Sequence, residues 1–231
     1  MEKFPPHVEN FFQNLEEINE LASIHRKIAG NTPGRKSKVH ILNKSAIVLL
    51  TACWEYYVED LVKEAFTYLL DNAKDHSVFP FSVLAKASKE LKNDKDDRRV
   101  WSLAGEGWKK ILEDYKKTTL IKEIDHFHVP RPENIDELYL KLLGINKITS
   151  NWTWKKMSNE EALKKLNKFV DLRGEIAHNV KTTNSIQKKD VDEYRKFLNC
   201  VAVILHNRVV KHIESLVSEK PWDTYKYGSV K

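Results

Sequence analysis

Apolar residues along the 231-residue chain recur mostly at intervals of three and four, the spacing that puts them on one face of a helix. A first helix is predicted over 8–29, with Phe11, Leu15, Ile18, Leu21 and Ile28 on its apolar side. The turn residues of Gly30-Asn31-Thr32-Pro33-Gly34 stop it. From about Lys38 to Asp71 the chain, which includes SAIVLLTACWEYYVEDLV, is apolar almost all round, as expected for the central helix of a bundle. Shorter helices are predicted near 81–92, 106–122 and 134–143; the last carries Asn134 and Glu137 at capping-box spacing and Gly144 as its stop. Before it, DHFHVPRP at 125–132 should be extended, because residues preceding proline avoid the helical region. Ser158 and Glu161 form a second capping box, opening a helix that reaches about His178. NVKTTNSIQ then reads as a loop, and a final helix runs from about Lys188 to Val217 through Val191, Tyr194, Leu198, Val201, Leu205 and Val209.

These elements predict an all-α protein of one domain over 1–220. Its core is a four-helix bundle, with a helical insertion at about 72–150 between the second and third core helices. Residues 221–231 carry no pattern and are expected to be a loosely ordered tail. Seven glycines and seven prolines leave little material for a linker, and no internal repeat is visible. No segment has the apolar length to span a bilayer, so no membrane partner is expected. The opening MEKFPPHVENFFQN lacks the apolar run of a secretory signal. Cys53 and Cys200 stand alone in apolar stretches and read as small core residues, so a reducing cytoplasm fits best.

One position breaks the pattern. In 163-LKKLNKFVDLRGEIAHNV-180 the apolar stripe Leu163, Leu166, Val170, Ala177, Val180 has its missing slot filled by Arg173. An unpaired guanidinium costs several kcal/mol to bury, so Arg173 is either paired or faces a water-filled interface. The second helix offers partners: its stripe Val48, Ala52, Glu55, Glu59, Val62, Phe66, Leu69 also carries charge at its centre. A structural ion pair of Arg173 with Glu55 or Glu59 is one reading. His178 lies five residues on, about 140° around and roughly 7.5 Å along a regular helix, so the two side chains do not share a face. They serve one site only if the helix ends near Ala177-His178-Asn179 or if a second copy of the chain completes it.

The segment R-G-E-I-A-H, Arg173 to His178, resembles the R-x4-H motif of HEPN domains, all-helical ribonucleases and RNA-associated modules. LNKFVDLRGEIAHNV, AIVLLTACWEYYVEDLV with its Trp54-Glu55 pair, and PENIDELYLKLLGI followed by NWTW are similar, in order, to the RiboL-PSP-HEPN group. The resemblance implies a homodimer with two motifs facing each other across a helical interface. RNA would be cleaved there without metal or cofactor, Arg173 holding phosphate and His178 transferring protons or positioning the 2′-hydroxyl. Glu55 would orient Arg173, and Asn179 is a candidate supporting polar group. Family context implies a toxin-like or phage-defence role under a regulatory antitoxin or defence-system protein. Gly174 departs from the polar residue, usually Asn, that the family places after the arginine. The rival reading is a non-catalytic HEPN module that dimerises and binds RNA or protein.

Charge adds little. The net charge of +6 and pI near 9.1 suit a polyanion, but basic and acidic residues alternate, as in KNDKDDRR at 92–99, in the manner of a solvated surface. Trp152 and Trp154 beside Lys155 and Lys156 are candidates for stacking bases and contacting phosphates, against packing of the insertion onto the bundle. His126 and His128 share a face if extended, yet no Cys, Asp or Glu pattern completes a metal site around them.

Overall fold

A computed structural model describes residues 4–29, 40–178 and 186–226. It is all-α: among the described residues there is no strand, and an isolated bridge joins Trp154 to Met157. The principal helices are α1 (Pro6–Ala29), α2 (His40–Asn72), α3 (Phe81–Ala87), α4 (Lys89–Lys92), α5 (Gly107–Tyr115), α6 (Ile121–Asp125), α7 (Pro132–Leu143), α8 (Asn159–His178) and α9 (Lys188–Val217). No described helix is long and apolar enough to cross a membrane.

The hub is α2, against which α1, α7, α8 and α9 all pack. Its sequence is apolar over most of its circumference because most of it is buried: Ile47, Leu50, Trp54, Val58, Leu61, Val62, Ala65, Phe66 and Leu69 are inaccessible, while Leu49, Ala52 and Tyr56 lie on an exposed face. Trp108, Leu112, Tyr115, Ile124, Ile135 and Leu142 from the middle third join the same core as Leu166 and Phe169 of α8 and Leu198 and Leu205 of α9. Tyr139 of α7 donates its hydroxyl to the Val58 carbonyl of α2 at 2.9 Å. The middle third therefore shares the bundle's core instead of enclosing its own.

The capping chemistry of α8 matches its sequence. Glu161 accepts from the Ser158 backbone N–H at 2.8 Å, and the Ser158 hydroxyl accepts from the Glu161 N–H at 3.3 Å. Gly144 closes α7 at φ 74°, a left-handed conformation that glycine adopts without a Cβ clash. Elsewhere the elements differ from expectation. The helix predicted near 81–92 breaks at Ser88 into α3 and α4. That near 106–122 continues to Asp125, through a π-helical turn at Lys116–Leu120. α7 starts at Pro132 instead of Asn134, because proline suits a first helical position; Asn134 donates to the Val129 carbonyl at 2.8 Å instead of capping.

Residues 221–226, expected to be loosely ordered, are docked. Trp222 lies edge-on to His7, with ring centroids 4.6 Å apart, and Asn207 exchanges two hydrogen bonds with the Tyr225 backbone. Beneath them, His7 bonds Glu64 at 2.6 Å and His206 at 3.0 Å, and His206 bonds the Asp223 carbonyl at 2.9 Å. The turn at 30–34, Asn179 and most of the 179–187 loop lie outside the described residues.

Candidate functional site

α8 packs on α2, but its apolar stripe leaves the core partway along. Leu166 and Val170 are buried, whereas Arg173 and Ala177 are exposed. The slot holding Arg173 faces an open groove of about 1000 Å³ between α1, α2 and α8. A charge in the stripe is thus satisfied by water: the slot is not a core position.

The groove wall opposite Arg173 is acidic. Glu55 and Glu59, one turn apart on α2, line it together with Glu17 and Glu20 of α1, over apolar ground that includes Ile18 and Leu49. Burial pushes the Glu55 carboxyl above the usual carboxylate range, and the charges of Arg173 and then His128 pull it back. Burial also pushes Glu59 up, to about 7; Lys63 at 3.8 Å opposes this, while Glu55, Asp125 and Asp60 reinforce it. Among the described residues Arg173 has no carboxylate within 4.0 Å. Its relation to Glu55 is one of field across the groove, so the structural ion pair considered from the pattern does not form.

His178 is the last residue of α8 and is exposed, and it does not line this groove. Five residues of regular helix therefore separate Arg173 and His178 by the rotation expected, and one chain does not bring them together. Gly174 lies within α8, and a Cβ added there would meet nothing within 4 Å, so packing does not require glycine.

Trp152 is fully buried and Trp154 packs against the core, its ring 5.9 Å from Phe197. Trp152 has no face left for a base, which corrects the stacking role considered for it; Trp154 is committed to the same packing. Lys155 and Lys156 are exposed, but they precede the start of α8, roughly 20 Å along the helix axis from Arg173.

His128 and Asp125 were not part of the site as read from the pattern, although both act on its carboxylates. Phe127 is buried, while His126, at the turn that ends α6, and His128 and Val129 of the following extended segment are exposed. The His126 ring is turned back onto the Lys122 carbonyl, and the His128 ring stands 6.3 Å from it between centroids. Among the described residues no group of three or more His, Cys, Asp or Glu is arranged to hold a metal.

No curated protein and no solved structure matched the chain. Over residues 9–217, nearly its whole length, it matches the RiboL-PSP-HEPN family model, and the chain belongs to that family.

Proposed function

We propose that the chain is an endoribonuclease that cleaves RNA without a metal, at a site completed by a second copy of itself. The observation that carries this reading is Arg173: a permanent cation, exposed in an open groove and with no contact ion pair among the described residues. HEPN domains generally dimerise and bind RNA. Because one chain holds Arg173 and His178 apart, pairing two chains is the way to bring an Arg173 and a His178 to one phosphate.

RNA carries its own nucleophile. An imidazole, which exchanges protons around neutral pH, takes the proton of the 2′-hydroxyl as O2′ bonds to phosphorus. The bond to O5′ breaks, and that oxygen collects a proton, leaving a 2′,3′-cyclic phosphate and a 5′-hydroxyl. The protonated imidazole can return that proton to O5′, so one His178 serves each site as base and then as acid. Arg173 binds the phosphate and stabilises the charge that builds on it. Glu55 orients Arg173 across the groove, and Asn179 is a supporting candidate next to His178. Lys155 and Lys156 are candidate phosphate contacts on a strand running along α8. We read the setting as cytoplasmic and toxin-like or phage-defensive, under a partner's control, on family resemblance alone.

A second reading is favoured by the four carboxylates of the groove, which repel phosphate, and by the absence of a side chain at Gly174. In it the domain dimerises and binds RNA or protein without catalysis. Purified wild type, Arg173→Ala and His178→Ala, incubated with RNA in excess EDTA, separate the two. Cleavage by wild type alone, with cyclic phosphate ends, supports the enzyme; silence of all three supports the module, and equal cutting by all three defeats the assignment of both residues.

A further inference from the structure

The segment after α9 is strapped across the bundle by a directional chain of hydrogen bonds. Glu64 of α2 lies 2.6 Å from His7 Nδ1, His7 Nε2 lies 3.0 Å from His206 Nδ1, and His206 Nε2 lies 2.9 Å from the Asp223 carbonyl. A carbonyl only accepts, so His206 Nε2 carries a hydrogen. With His206 neutral its Nδ1 accepts, and His7 Nε2 donates to it. One more proton, between His7 Nδ1 and Glu64, completes the chain. Both rings are inaccessible, so water does not repair a fault in it. Other groups also face the pair. Tyr57 of α2 donates to the Ala202 carbonyl at 3.0 Å, and Lys196 of α9 lines, with His206, a cavity of about 160 Å³. The Tyr225 ring of the strap stands 4.9 Å from that of His206. Asp60, one turn before Glu64 on α2, is bonded by Asn10 of α1 at 3.1 Å. Among the described residues, Glu64 is the carboxylate that touches the pair.

Take that shared proton away, and His7 has one hydrogen for two acceptors, the Glu64 carboxylate and His206 Nδ1. Either lone pairs then face each other, or His206 turns its hydrogen inward and loses the Asp223 carbonyl. Add a proton to His206 instead, and N–H is set against N–H at 3.0 Å. Burial resists that proton, holding the ring at about 4 against the Asp223 bond, which favours it. The rings and helices are fixed by the core, whereas no residue of 221–226 is buried, so the strap is the part free to leave. From this geometry we propose that the strap is a proton-gated latch: a single proton shared by His7 and Glu64 keeps residues 222–226 docked, and both its loss and the arrival of a second release them from His206. Release opens the cavity that Tyr225 and His206 line with Phe11 and Phe12. The inference is independent of the nuclease reading.

The full chain, labelled with 5-fluorotryptophan, tests this by fluorine NMR. The Trp222 resonance is identified by its absence from Trp222→Phe, and the other tryptophans report on the fold. It is followed from about pH 3 to pH 10, the span over which His, Glu and their pairs titrate, in wild type, Glu64→Gln and His206→Gln. In wild type it should sit at its docked position near neutrality and move towards the free position at both ends. The released fraction should rise at least about ten-fold at each, the effect of one lost buried hydrogen bond. In Glu64→Gln the carboxamide donates to His7 Nδ1 without any added proton, so the alkaline limb should vanish while the acid limb stays. In His206→Gln the amide accepts from His7 and donates to Asp223, so the acid limb should vanish. A resonance that stays docked at both ends in wild type, or an alkaline limb unchanged in Glu64→Gln, overturns the latch. Release that coincides with movement of the other tryptophan resonances is global unfolding and overturns it as well.

Discussion

Replacing Glu59 by glutamine should stabilise the protein at alkaline pH. The Glu59 side chain is only 16 % exposed, and its nearest cation, Lys63, stands 3.8 Å away, too far for a good hydrogen bond. Burial, with Glu55, Asp125 and Asp60 nearby, raises its carboxyl from 4.5 to about 7. At about 1.4 kcal/mol for each pH unit of separation, the charged form costs at most about 3 kcal/mol, and screening by groove water brings this to about 2 kcal/mol. The sign follows from linkage. The folded state binds the proton more tightly than the unfolded chain, so stability rises as pH falls from about 7 towards 4.5 and is lowest above 7. Glu59→Gln keeps the shape and removes the charge, so at pH 8 its urea midpoint should rise, with a gain of about 2 kcal/mol or roughly 4–8 °C in melting temperature. Near pH 5 the gain should be small. Lower stability of the variant at pH 8, or a gain equal at both pH values, would refute the claim that an under-compensated charge lines this groove. Such a charge is the signature expected of a surface built for a partner or substrate more than for stability.

Other consequences follow from the same geometry. Gly174→Ala meets no neighbour and lies in a helix, so it should stabilise by about 0.5–1 kcal/mol in thermal melts; a loss would mean that the position needs glycine's backbone freedom. His206, nearly inaccessible, is held by burial at about 4, below its ordinary 6.5, so the unfolded chain protonates first. Its share of stability, about 3 kcal/mol, is intact above 6.5 and lost as pH falls to about 4, opposite in sign to Glu59. Denaturation of His206→Gln across that window should therefore fall less steeply than wild type, and parallel curves would contradict the assignment. Trp152→Ala removes a wholly buried indole and should destabilise by about 3–5 kcal/mol, whereas a stacking platform on the surface would barely change the melt.

The elements that local chemistry defines were legible in the sequence. α9 begins and ends where its pattern does, at Lys188 and Val217, and α8 opens at the Ser158–Glu161 box. Arg173 was conspicuous because it interrupts a stripe, although the pattern alone left core pairing and solvent equally open. What escaped depends on contacts between distant residues. The tail docks because Trp222 meets His7, 215 positions away in the chain, and no local periodicity records that. Trp152 is core because it meets Trp54, at 6.2 Å between ring centroids, while its sequence neighbours are polar. The segment after α6 is held on α8 by the Arg131–Asp171 pair, between residues forty positions apart. The acidity of the groove arises where α1 faces α2, and neither helix announces it alone.

The central claim is that one site is assembled from Arg173 of one protomer and His178 of its partner. Arg173→Ala and His178→Ala, each inactive alone, should be mixed and allowed to exchange subunits in EDTA. Half of the dimers would then be mixed, each with one intact site of two, so cleavage should return to about a quarter of the wild-type rate. A mixture as silent as its components, with subunit exchange verified, would contradict a shared site.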